Sequence, residues 1–182
     1  MIDWIKHINK PSPDFWKKYV AKFEEKSNRY IAISLESTGL NPKKDTILSY
    51  GAVSIINDTI LISDSFEVIL SENNNTEISN DVAVEMFVDF IENAVLIGYH
   101  IDFDVQIINE ALEKLHCGRL KNEALDIEIM YKKLQEDNDS KFSLDELITI
   151  FKIPKSDRVS ASEDAFSIAL LFLKLKSRLG LK

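Results

Sequence analysis

Acidic side chains at the ends of predicted elements are the residues of this sequence best suited to chemistry. Glu36 ends a short apolar run, Asp104 follows another, and Asp164 lies at the start of a long helical pattern. Carboxylates that converge from separate elements form a hard-oxygen site for Mg²⁺ or Mn²⁺. Two such ions about 4 Å apart stabilise the attacking and leaving oxygens of a phosphodiester displacement. Taken singly, each acid is better explained as a polar strand end or as a charge that favours a helix N-terminus, so the pattern has to decide.

The elements that would position these acids follow from hydrophobic periodicity. Apolar runs at 30–36, 46–56 and 59–70, joined by short links, predict three antiparallel strands. The near-continuous run 94–99 is typical of a strand buried on both faces of a mostly parallel sheet, and 124–126 predicts a fifth strand. Helices are expected at 81–91, 103–116, 126–136, 143–151 and 160–179. This order predicts an α/β fold with a mixed sheet and helices on both faces, and ligand sites then lie beyond the carboxyl ends of the strands.

Residues 1–29 are predicted to be an N-terminal helical extension to a domain that spans residues 30–182. Between residues 14 and 26, Phe15, Tyr19 and Phe23 recur at helical spacing with charges between them, which indicates an amphipathic helix. Its apolar face packs either on its own domain, which we favour, or on a protein partner.

Composition limits the classes of protein to which the chain can belong. A chain of 182 residues with 45% hydrophobic residues and a net charge of −8 is one folded domain, and its surface repels phosphate backbones. A broad basic face for nucleic acid is therefore excluded, whereas a local site bridged by metal ions remains open. Cys117 is the single cysteine, which excludes an internal disulfide and favours a reducing compartment. Because the sequence shows neither a signal peptide nor an apolar run long enough for a membrane, we expect a cytoplasmic protein.

Several segments together resemble the motifs of the DnaQ-like 3′-5′ exonucleases. Residues 35–40 (Leu-Glu-Ser-Thr-Gly-Leu) are similar to the family's D-x-E-T-T-G-L motif, and residues 97–104 (Ile-Gly-Tyr-His-Ile-Asp-Phe-Asp) to G-H-N-x-x-F-D. Residues 124–126 (Ala-Leu-Asp) resemble its V-x-D-T strand, and residues 158–165 (Arg-Val-Ser-Ala-Ser-Glu-Asp-Ala) align with R-H-x-A-x-x-D-A. The match covers about residues 30–176 in the family's order. The resemblance implies a ribonuclease-H-like fold with a five-stranded sheet.

The resemblance also implies roles for individual residues. Glu36, Asp104 and Asp164 correspond to catalytic acids that hold one or two Mg²⁺ or Mn²⁺ ions. The remaining family acid is Ser34 here, and the family's general-base histidine is Val159. A neutral hydroxyl is a poor metal ligand, and a positioned base contributes roughly 10²–10⁴ in rate, so we expect weak metal occupancy and slow hydrolysis.

Two further groups of residues follow from the same alignment. The family's His-Asn pair is replaced by Tyr99 and His100, and His100 or Asp102 could substitute for the lost groups. The implied substrate-binding residues are Thr38, Gly39, Leu40 and Phe103.

Two functions remain open from the sequence. The first is a metal-dependent exonuclease that acts on the ends of single-stranded DNA or RNA, similar to the exonuclease domain of the polymerase III epsilon subunit and impaired in catalysis. The second is a pseudo-exonuclease, a module that binds nucleic-acid ends, nucleotides or a protein without cleavage.

Overall fold

The computed structural model of the protein describes residues 12–70, 78–154 and 160–181. The chain begins with helix α1 (Asp14–Lys22) and then forms strands β1 (Arg29–Ser37), β2 (Ile47–Ile56) and β3 (Thr59–Ile69). Helices and strands then alternate through α2 (Asn80–Ile91), β4 (Val95–Gly98), α3 (Ile101–Lys114) and β5 (Ala124–Asp126). Three helices follow: α4 (Ile127–Gln135), α5 (Leu144–Ile150) and α6 (Ala161–Arg178).

The strands form one five-stranded sheet in the order β3-β2-β1-β4-β5. β1 pairs with β2 and β2 with β3 in antiparallel fashion, whereas β4 lies parallel to both β1 and β5. The carboxyl ends of β1, β4 and β5 therefore meet at the same edge of the sheet. Glu36 lies near the carboxyl end of β1, and Asp104 lies at the start of α3, the helix that follows β4.

Alternation along the central strands divides the core into two layers, because neighbouring strand residues point to opposite faces. Ile31 and Ile33 are fully buried on the face that is covered by α1, α2 and α3. Ala32 and Ile97 are fully buried on the other face, under α4, α5 and α6. The predicted mixed α/β architecture with helices on both faces is thus confirmed.

Helix α1 packs against its own domain. Phe15, Trp16 and Tyr19 are buried in the first of the two cores. The Tyr19 hydroxyl donates to Asn122 Oδ1 (2.7 Å) and accepts from the backbone N–H of Lys121 (2.7 Å), which ties α1 to the segment before β5. The apolar face of this helix is therefore covered by the domain itself rather than open to a partner.

The predicted elements are all present, and their boundaries differ in two informative places. The helix expected to reach residue 26 ends at Lys22. The strand expected over 94–99 is confined to Val95–Gly98, because Tyr99 and His100 already turn into α3, which begins at Ile101. The sequence also predicts a polar loop at 71–79, of which residues 71–77 lie outside the described residues.

Candidate active site

The start of α6 lies directly on the sheet beside Ser34. Ser34 is opposite Gly51 in the antiparallel pair of β1 and β2, so the two residues point to the same face. A Cβ atom on Gly51 would lie 2.2 Å from the carbonyl carbon of Ala161 and 2.3 Å from the backbone nitrogen of Ser162. Only glycine permits this approach, which places the first turn of α6, with Asp164, on the face that Ser34 occupies.

Glu36 lies on the same face, two residues further along β1. Its partner across the strand pair is Ser49, whose hydroxyl donates to Glu36 Oε2 over 2.6 Å. The side chain of Ser49 is buried, whereas Glu36 is exposed. Ser49 therefore fixes the direction of a carboxylate that solvent and ligands can reach.

Asp104 lies in the first turn of α3 and is only 7% exposed. Burial, together with the nearby charge of Asp126, raises the pKa of the Asp104 carboxyl well above its ordinary value. Asp126 ends β5 and is itself held in place, since Oδ2 accepts from the backbone N–H of Ile101 (3.1 Å) and Oδ1 from that of Glu128 (2.8 Å). The carboxyl ends of β4 and β5 thus form an acidic corner, defined here by Asp104 and Asp126.

A second carboxylate lies beside this corner in very different surroundings. Glu128, in the first turn of α4, is buried, yet its oxygens accept hydrogen bonds from Lys132 Nζ (2.9 Å), His100 Nε2 (3.1 Å) and the backbone N–H of Phe142 (3.1 Å). Burial alone would raise the pKa of Glu128, but these hydrogen bonds outweigh it and hold the pKa below its ordinary value.

The loop after β1 is organised by Asp45, which presents the predicted substrate-binding residues. Asp45 accepts hydrogen bonds from the Thr38 hydroxyl (3.0 Å) and from the backbone N–H of Asn41 (2.8 Å). A Cβ atom on Gly39 would lie 2.7 Å from the same carboxylate. Between these anchors, Leu40 is 89% exposed, so an apolar side chain projects from the loop.

The remaining predicted site residues differ from one another in burial and in contacts. Phe103 is half-buried and packs against the first core, and Asp102 is exposed in the first turn of α3. His100 is held by Glu128. Val159 lies outside the described residues.

The predicted metal-binding acids lie on separate elements: Glu36 on β1, Asp104 on α3 and Asp164 on α6. In the part of the chain that the structure describes, no group of three or more His, Cys, Asp or Glu side chains is arranged so that it could hold a metal ion. The donor set nevertheless fits a hard divalent cation, because all the donors are carboxylate oxygens and a cation would compensate the buried charge of the acidic corner. Ser34 fits a divalent cation least well, because its hydroxyl is neutral.

Sequence reasoning missed two positioning residues, Asp45 and Glu128. Asp45 lies five residues after the segment that resembles the family's first motif, and its role depends on the turn that brings it back to Thr38. Glu128 could have been noticed from the spacing of four to Lys132, which is typical of a helical ion pair. Its contact with His100 joins residues 28 positions apart and needed the structure.

The fold and the arrangement of motifs define the class of protein: the chain resembles the DnaQ-like 3′-5′ exonucleases and has their ribonuclease-H-like fold, as the motifs indicated. A PolC-type DNA polymerase III from Caldanaerobacter subterraneus is 26% identical over 167 residues, and one from Latilactobacillus sakei is 27% identical over 165 residues. Each match covers 82% of this chain but only 12% and 11% of these relatives.

Solved structures show the same fold. E. coli Exonuclease I in complex with a dT13 oligonucleotide matches 85% of this chain with a TM-score of 0.64 and 12% identity, and the match covers 42% of that protein. Exonuclease X in complex with 5′ overhanging duplex DNA matches 84% of the chain and 94% of its own length, with a TM-score of 0.60 and 14% identity. No protein-family model matches the chain.

Among the described helices, none combines the length and the apolar character that crossing a bilayer requires.

Proposed function

We propose that this chain acts on the 3′ ends of single-stranded DNA or RNA as a DnaQ-like exonuclease whose hydrolysis is strongly reduced. The observation that carries the proposal is Ser34, a neutral residue on the face of β1 that the start of α6 covers, where the resemblance requires an acid. The neighbouring acids are retained in the same order along the chain. The likeness to proteins solved with oligonucleotides supports the substrate class.

In this proposal the chain's own residues bind and orient the strand end. Glu36, Asp104 and Asp164 would hold one or two Mg²⁺ or Mn²⁺ ions, which when bound supply positive charge to the phosphodiester oxygens. The loop ordered by Asp45 presents Leu40 and the backbone of Gly39 to the terminal nucleotide. With Ser34 neutral, fewer charges offset a dication, so occupancy is weak and turnover is slow.

The second candidate is a pseudo-exonuclease that binds strand ends or nucleotides without cleaving them. The specific observation in its favour is the identity of the residues at the family's acid and base positions, because Ser34 is no carboxylate and Val159 is no base. The two candidate functions differ in whether the strand end is cleaved, but both require the chain to bind a strand end.

Digestion of an end-labelled single-stranded oligonucleotide with Mn²⁺ tests the proposal. We expect slow 3′-5′ digestion by the natural protein, its loss in Asp104→Ala, and a gain of about 10² or more in Ser34→Asp/Val159→His, since a general base alone contributes roughly 10²–10⁴. Asp89→Ala, which removes an exposed acid on α2, is the matched control and should digest at the natural rate.

Three other outcomes are informative. If the natural protein does not digest the oligonucleotide and Ser34→Asp/Val159→His does, the result favours the pseudo-exonuclease. Digestion that survives Asp104→Ala would come from a contaminant or another site, and would contradict the role given to Asp104. Absence of both digestion and oligonucleotide binding would contradict both candidates.

A further inference from the structure

Two aromatic rings stack on each other where β4 turns into α3. The ring centroids of Tyr99 and His100 are 4.1 Å apart and the ring planes differ by 18°. His100 is the residue before α3 and has a left-handed backbone, with φ 53° and ψ 41°. This conformation is uncommon for a residue with a side chain and persists where the surrounding structure enforces it.

Glu128 fixes the histidine ring from one edge. The bond from His100 Nε2 to Glu128 Oε2 is 3.1 Å, and Glu128 is in turn held by Lys132 and by the backbone of Phe142. The side chain of Glu128 is 8% exposed, whereas that of His100 is 60% exposed. One face of the ring thus lies on Tyr99 and one edge on Glu128, and the large exposed fraction leaves the outer face to solvent.

The stacked pair lies beside the acidic corner. Ile101, the next residue after His100, donates its backbone N–H to Asp126, and Asp126 is close enough to Asp104 to raise its pKa. Asp104 itself lies in the first turn of the same helix. A strand end whose terminal phosphodiester lies near Asp104 would bring its last bases close to the His100 ring.

We propose that Tyr99 and His100, fixed by Glu128, form a platform on which a base at or next to the 3′ end of a single strand stacks. This inference rests on the proposed function, because it needs a strand end at the acidic corner. Stacking does not depend on the base sequence, since every base has a π-face, and it adds attraction on a chain whose net charge of −8 repels the phosphate backbone. His100 would contact the substrate, and Glu128 would act as a positioning residue through it.

A single-stranded oligonucleotide with 2-aminopurine at each of its last four positions in turn tests the platform, with Ca²⁺ in place of Mn²⁺ to keep the strand intact. We expect quenching at one position within the last two. His100→Asn, which keeps a residue that tolerates the left-handed backbone, should abolish that quenching and weaken binding about tenfold, as loss of one base–aromatic stack does.

An abasic nucleotide at the quenched position separates stacking from a structural effect. It should weaken binding to the natural protein about tenfold and leave binding to His100→Asn unchanged, because the contact is already lost. Glu128→Gln should reduce the quenching while the thermal unfolding remains cooperative. His116→Asn is the matched control, since His116 also has a left-handed backbone (φ 59°) and lies beyond the opposite end of α3. It should bind and quench as the natural protein does.

The outcomes distinguish this inference from the proposed function. Binding or digestion that is insensitive to both His100→Asn and the abasic nucleotide would overturn the platform and leave the proposed function intact. If His100→Asn and the abasic nucleotide weaken binding by independent factors that multiply, the platform is also overturned. Such factors would show that the His100 ring and the base do not contact each other. Absence of all binding and digestion would overturn both.

Discussion

The two sides of the candidate site differ in backbone packing and in the burial of acidic groups. On the side where α6 meets β1 and β2, the chain has a neutral Ser34 opposite Gly51, and backbone is packed against backbone. On the side where β4 and β5 end, Asp104 is buried near Asp126 and its pKa is raised. One side therefore lacks an acid that the resemblance implies, and the other buries a carboxyl close to a second acid.

On the side where β4 and β5 end, Glu128 can be compared with Asp104. It is as buried as Asp104 but has hydrogen-bond donors on both oxygens, and its pKa is shifted in the opposite direction. Burial by itself does not decide whether a carboxylate destabilises the protein. The difference lies in the neighbours: hydrogen-bond donors accompany Glu128, as we expect of a structural acid, whereas the neighbour that adds to the pKa shift of Asp104 is a second acid.

The largest effect should come from the packing of α6 on the sheet. Gly51→Ala would bring a methyl group within 2.3 Å of backbone atoms of Ala161 and Ser162, which cannot move aside as a side chain can. We expect the free energy of unfolding to fall by about 3 kcal/mol or more, measured by urea denaturation. Ser63→Ala, an exposed change on β3, should stay within about 0.5 kcal/mol. A near-neutral Gly51→Ala would show that α6 does not lie as close to β2 as described.

A smaller effect is expected for Glu128→Gln. Loss of a charged acceptor should lower the free energy of unfolding at pH 7 by about 1–2 kcal/mol. Because the pKa of Glu128 is lowered on folding, its contribution is present above the ordinary value of 4.5 and is lost as pH falls through the folded-state pKa. The deficit of the variant should therefore shrink in acid. A deficit that does not change with pH would contradict an ionised Glu128.

The smallest effect, and one of opposite sign, is expected for Asp104→Asn without divalent metal. Because the pKa of Asp104 is raised on folding, the natural protein is stabilised below the ordinary value of 3.8 and loses that stability as pH rises through the folded-state pKa. The variant should thus be more stable than the natural protein at neutral pH, with the difference disappearing in acid. The gain is limited because the carboxyl can relieve its charge by binding a proton.

Thermal unfolding in chelator across a range of pH values measures this difference, with Asp89→Asn as the exposed control. Added Mn²⁺ should stabilise the natural protein more than Asp104→Asn. If Asp104→Asn destabilises the protein at every pH, the acidic corner is a structural feature and the contrast between the two sides does not hold.

The sequence alone determined the elements and the class of fold. Apolar runs and helical spacing predicted the helices and strands that the structure describes, because the side chains that an element buries recur at a spacing set by its geometry. The motifs around Glu36, Asp104 and Asp164 gave the family resemblance, and the substitutions at Ser34 and Val159 were visible as plain residue identities.

Only the tertiary structure decided the surroundings of those residues. The closeness of Asp104 to Asp126, the bond between His100 and Glu128, and the contact of α6 with Gly51 all join segments that are far apart in the chain. Spacing along one element fixes which face a residue occupies, but a pKa or a hydrogen bond depends on distances of a few ångströms across elements. Those distances are set by how helices and sheet pack together.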